Sequence, residues 1–86
     1  MNPHILMVLD HNLNPDKYTK GQLEANRDDA HAAYDADNVG AAYAYSAADA
    51  AALATATYDA GYWLNGYFKM TGENKQDYID AINKDK

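Results

Sequence analysis

Residues 30–61 read AHAAYDADNVGAAYAYSAADAAALATATYDAG, a run in which alanine, aspartate and tyrosine take most positions. It contains no proline and is dominated by strong helix formers, so helix is the regular structure it predicts. Stepping by seven from Ala33 picks out Gly40, Ala47, Ala54 and Gly61, an unbroken series of the smallest side chains. Beside it lie Ala32, Ala36, Val39, Tyr43, Ser46, Ala50, Leu53, Thr57, Ala60 and Leu64, spaced alternately by four and three like a coiled-coil seam. Together the rows predict helices packed closer than the usual separation of about 8–10 Å. The competing explanation is helix propensity in an exposed rod. Two glycines in the series favour close packing, because glycine weakens a helix unless its missing side chain makes room for something.

Outward from this run, Thr19 with Gln22 three residues later forms a capping box, and Leu23 to Met70 contains no proline. The cluster DADNVG at 35–40 gathers Asp37, Asn38 and Gly40, residues able to end one helix and start another, and predicts a turn or kink there. At the N-terminus, Asn2 caps a short helix with Pro3 in its first position. Ile5, Leu6, Leu9 and Leu13 share one face of it, and Pro15 forces the preceding residue out of helical geometry. A loop over Asn14 to Tyr18 follows. Gly72 ends the long helical region, and Asn74 caps a last helix carrying Tyr78, Ile79 and Ile82. The expectation is an all-α single domain over residues 1–86. Its centre is an alanine-rich long helix or helical hairpin, flanked by short N- and C-terminal helices.

Alanine loses no rotamer entropy on burial but removes little apolar area from water. Larger groups must therefore supply the core, and they cluster at Ile5 to Leu9 and in YDAGYWLNGYF at 58–68. Either the terminal segments pack on this aromatic end, or a second copy completes the alanine seam; a homo-oligomer is expected.

Thirteen acidic residues against seven basic give a net charge of −6, and this argues against binding a phosphate backbone directly. The absence of cysteine removes thiolate catalysis, disulfides and cysteine-based zinc sites. The apolar run from Ile5 to Leu9 is too short for a membrane span and lacks the basic leader of a signal peptide. A soluble, cytoplasmic protein without membrane partners is expected.

Chemistry is hard to find. Asp28, His31 and Asp35 sit three and four residues apart, but a helical di-metal site needs a carboxylate-x-x-His element twice, and only Asp28 with His31 supplies one. A solvated helix face explains the trio better. His4 and His11 read as exposed or capping groups, Ser46 lacks a neighbouring base in sequence, and TGENKQ at 71–76 is no phosphate loop. No catalytic, metal or cofactor residue is assigned, and a non-enzyme is expected.

Surface recognition remains. A tyrosine buries much area with few rotatable bonds and keeps a polar tip, which suits binding surfaces. Eight tyrosines cannot all share one narrow helical face, and Tyr34, Tyr45, Tyr58 and Tyr62 are the candidates for an exposed patch. Asp28, Asp35 and Asp49 fall on one seven-residue row. That row allows a second reading, an acidic track imitating nucleic acid and blocking a DNA-binding protein or nuclease. A third reading is a structural oligomerisation module.

The layout LNPDKYTKGQLEAN at 13–26, then the alanine/tyrosine/aspartate run, then YWLNGYFKMTGENKQDYIDAINK at 62–84 resembles small accessory proteins of tailed bacteriophages. That resemblance implies a protein that binds and inhibits a host protein in the host cytoplasm, as a device of host takeover or anti-defence. It brings no catalytic residues with it.

Overall fold

The computed structural model describes residues 1–35, 37–53 and 57–84, the side chains of 57–59 excepted. Five helices follow one another: α1 (Pro3–Leu13), α2 (Lys20–Ala32), α3 (Val39–Ala52), α4 (Thr57–Thr71) and α5 (Lys75–Lys84). The fold is all-α. An unbroken helix from Leu23 to Met70 would run about 70 Å, whereas the longest extent of the molecule is 35 Å. The central region is thus three helices and no single shaft.

Local chemistry accounts for most of the boundaries. The Asn2 side chain accepts from the amides of His4 and Ile5, and Pro3 opens α1 where its missing N–H is not needed. α1 stops at Leu13, with Asn14 outside helical geometry ahead of Pro15. Thr19 and Gln22 exchange both hydrogen bonds of the capping box, at 3.1 and 2.8 Å. The expected break at 35–40 is present: α2 ends at Ala32, and Asn38 caps α3 by accepting from the amide of Ala41 at 3.1 Å. Gly72 adopts φ +74, the left-handed conformation that ends a helix most readily at glycine. Asn74 accepts from the amide of Gln76 at 2.8 Å, at the start of α5.

The boundary without a sequence signal is the one between α3 and α4, where Leu53 closes α3 and α4 begins at Thr57. α4 returns antiparallel along α3. Gly40 lies near Tyr67 and Thr71, while Tyr43 meets Gly66 and Trp63. This is the largest helix contact in the molecule, followed by that of α2 with α3.

A single core joins all five helices. Ile5, Val8 and Leu9 from α1, Leu23 and Ala30 from α2, Leu64 and Tyr67 from α4, and Tyr78 and Ile82 from α5 surround the alanine surface of α3. Ala44, Ala47, Ala48, Ala51 and Ala52 are buried there. The terminal segments therefore supply the bulk that alanine lacks. The expected four-and-three seam does not hold as one row: Ala50, Ala60 and Leu64 are buried, whereas Ala32, Val39 and Leu53 are exposed, and Ala36 and the Thr57 side chain lie outside the described residues.

The seven-residue series fares differently position by position. Ala47 is fully buried, and a β-carbon at Gly40 would sit 3.3 Å from Thr71 and from the Asn38 side chain, so both positions serve close packing. Ala33 is exposed at the C-cap of α2, and a β-carbon at Gly61 would meet nothing within 4 Å. Neither is a packing residue. The series requires one continuous helical phase, whereas α2 ends at Ala32, α3 runs from Val39 to Ala52 and α4 begins at Thr57, each with a phase of its own. Ala54 lies outside the described residues.

Candidate binding surface

Among the glycines, the closest side-chain approach is at one outside that series. A β-carbon at Gly66 would fall 2.5 Å from Cε1 of Tyr43, so the Tyr43 ring lies directly against the α4 backbone. The same ring meets Trp63, with centroids 5.7 Å apart. Trp63 in turn receives Tyr62 nearly at right angles, at 5.1 Å, an edge-to-face arrangement favoured by the ring quadrupoles. Tyr62 is thereby held in place and yet is 62% exposed. Along the same face of α4, Tyr62, Asn65, Gly66, Lys69 and Met70 recur at helical spacing and, with Tyr43 from α3, line a groove of about 310 Å³.

A second aromatic group sits at the corner between α2 and α3. Tyr34, 46% exposed, meets the half-buried Tyr45 edge-on at 5.8 Å, and the His31 ring lies 5.0 Å from Tyr45 on its own account. Of the four candidate tyrosines, Tyr34 and Tyr45 are thus brought together and Tyr62 stands in the separate α4 groove. The Tyr58 side chain lies outside the described residues.

The acidic candidates do not form one row. Asp28 is on α2, where it pairs with the neighbouring Arg27 at 3.2 Å. Asp35 lies in the connection to α3 and accepts from the amide of Asp37 at 2.9 Å, shaping the turn. Asp49 is half-buried on α3. The seven-residue spacing that would align them holds only on one continuous helix. Asp28 and His31 lie three apart on α2 and Asp35 in the connection beyond it, all three exposed, and among the described residues no group of three His, Cys, Asp or Glu side chains converges as a metal site requires. Ser46 is half-buried on α3. His4 is held by Asn26, whose amide donates to the His4 carbonyl at 3.3 Å while Nδ1 and Oδ1 lie 3.1 Å apart.

Two carboxylates act as anchors for the frame that carries these surfaces. Asp10, buried on α1, accepts from Asn14 at 2.8 Å, Lys17 at 2.5 Å and Tyr18 at 2.7 Å, fastening the loop between α1 and α2. Burial alone would raise its pKa, but the three hydrogen bonds and the Lys17 charge outweigh that and hold the carboxyl below its ordinary range. Glu73 accepts from the hydroxyls of Tyr67, at 2.7 Å, and Tyr78, and the Tyr78 oxygen in turn accepts from the backbone amide of Asn2 at 2.8 Å. This chain ties α4, α5 and the start of α1 together. Burial, and then the adjoining hydroxyl and carboxylate, raise the pKa of Tyr67; burial followed by Glu73 does the same for Tyr78.

Sequence reasoning missed Tyr43, Asn65, Gly66, Lys69 and Met70 as surface residues, and Glu73 as an anchor. The signal for Gly66 was present: a glycine inside an otherwise strongly apolar helical segment, LNGYF, has a cost that a close approach explains. Among the described residues no helix is long and apolar enough to cross a membrane. The chain matches no protein-family model, no curated protein sequence and no solved structure.

Proposed function

We propose that this chain is a non-enzymatic, acidic, helical binding protein, a bacteriophage accessory protein that inhibits a host protein by occupying a functional surface of it. The observation that carries the reading is Tyr62, a large aromatic side chain packed on Trp63 and still 62% exposed, beside a groove on α4. Binding surfaces concentrate their free energy in such aromatic side chains, which lose little conformational entropy on contact. Tyr34 at the α2–α3 corner offers a second point of attachment. The resemblance to phage accessory proteins supports the choice of a host protein as target.

The test is affinity capture from a bacterial host lysate with the intact chain, followed by mass spectrometry, run in parallel with Tyr62→Ala and Tyr34→Ala. A specific protein captured by the parent chain and lost with the tyrosine variants supports the reading. Capture that survives the tyrosine changes but is abolished by neutralising Asp28, Asp35 and Asp49 together would replace it with nucleic-acid mimicry. Self-association, the other use of exposed apolar side chains such as Leu13 and Leu53, is a separate property that sedimentation reads directly.

A further inference from the structure

We infer that the α4 groove receives one bulky apolar side chain of a partner protein that carries a carboxylate beside it, the carboxylate pairing with Lys69. The inference rests on the protein-binding reading and specifies the chemistry of what is bound. It follows from how the lining is built. The walls are the Tyr43 and Tyr62 rings and the Met70 thioether, with Met70 53% exposed, and the absent side chain of Gly66 lets the Tyr43 ring lie against α4 as one of those walls. Aromatic faces and an adaptable methionine form a receptacle for an apolar group. A volume of about 310 Å³ stands at the small end of the ~300–1,000 Å³ range of ligand clefts. It suits one side chain with its flanking backbone better than a cofactor.

Charge selects the rest. Among the described residues Lys69 is the only group of fixed charge in the lining, and it has no acidic partner among them. Asn65 beside it adds an amide donor, and the Tyr43 and Tyr62 hydroxyls make no hydrogen bond to other described residues. Among the described residues no carboxylate lines the groove, so a basic occupant finds no counter-charge from them and an acidic one does. The net charge of −6 opposes an acidic partner only weakly at this point. Exposed charges farther away than about 8 Å are largely screened at physiological salt, whereas a contact pair is not.

The minimal probes are N-acetylphenylalanine, which carries ring and carboxylate, and its amide, which carries the ring alone. Each is titrated into the isotope-labelled full chain and followed by the backbone amide signals. The expected result is saturable shifts at Asn65, Gly66, Lys69 and Tyr43, with the Tyr34 corner unaffected. The carboxylate should bind roughly 2–5-fold better than the amide, as an exposed ion pair allows. Lys69→Gln should erase that difference, and Tyr62→Ala should weaken both probes.

Absence of saturable shifts at the groove, or equal affinity of the two probes, would overturn the inference. So would concentration-dependent shifts of the same amides without probe, which would make a second copy of the chain the occupant. Failure here with tyrosine-dependent capture of a host protein intact would leave the protein-binding reading standing and remove only this occupant. Probe binding as expected, with capture indifferent to Tyr62 and Tyr34, would sustain the occupant chemistry and remove the proposed function instead.

Discussion

Tyr43 lies so close to Gly66 that a β-carbon at position 66 would be 2.5 Å from its ring. The contact joins α3 to α4 and shapes the groove at the same time. Gly66→Ala must push either the ring or the helix aside, and overpacking of this kind costs about 1–3 kcal/mol. Gly61→Ala is the matched control, since a β-carbon there meets nothing within 4 Å. It should stabilise the protein by roughly 0.5–1 kcal/mol, the helix-interior difference between the two residues. Chemical unfolding of both variants checks the opposite signs.

The alanine surface of α3 gives a second pair. Ala47 is fully buried beneath the other helices, and Ala47→Leu should destabilise by about 1–3 kcal/mol. Ala33 is exposed, and Ala33→Leu should stay within about 0.5 kcal/mol of the parent. A continuous seven-residue packing row would require both to be costly.

Glu73 and Tyr78 should be energetically coupled. Glu73→Gln and Tyr78→Phe each break the path from α4 through α5 to Asn2, and each leaves a polar group short of a partner, at about 1–3 kcal/mol. Because the two changes remove a shared bond, the double variant should cost less than their sum, by about 0.5–3 kcal/mol. Simple additivity in urea unfolding would contradict the arrangement.

Stability should fall toward both acid and alkaline pH. The Asp10 carboxyl is depressed in the folded state, so its contribution is complete above the ordinary value of 3.8 and is lost as pH falls through the folded value. Tyr67 and Tyr78 are raised, so their contribution is complete below 10.0 and is lost as pH rises above it, once the unfolded chain ionises first. Asp10→Asn should flatten the acid side of the melting-temperature profile, and Tyr67→Phe the alkaline side.

Much of the fold was legible because helix ends are written in local chemistry. Asn2 with Pro3, Thr19 with Gln22, Asn38, Gly72 and Asn74 all mark ends by side-chain hydrogen bonds or a left-handed backbone, and a short window of sequence contains each of them. The end of α3 at Ala52 has no such marker. Alanine continues a helix as readily as any residue, so the return of α4 is decided by burying Leu64 and Tyr67 against α1 and α3, a tertiary effect. Once that turn is missed, every periodicity carried across it is misread, which is why Gly61 was assigned a partner and Gly66 was not. The candidate surface was half legible. An exposed tyrosine patch follows from counting tyrosines, but the neighbours of Tyr62 depend on which face of α4 the core takes.

The proposed function is tested most directly by capture from a host lysate with the parent chain, Tyr62→Ala, and the triple neutralisation of Asp28, Asp35 and Asp49. Tyr62 is mostly exposed and its described ring contact is with Trp63, so its removal should cost no more than about 0.5–1.5 kcal/mol of stability. A specific host protein should be bound by the parent, held at least about fivefold more weakly by Tyr62→Ala, and retained by the aspartate variant. A partner held equally well without Tyr62 and released when the three aspartates are neutralised would contradict the proposed function.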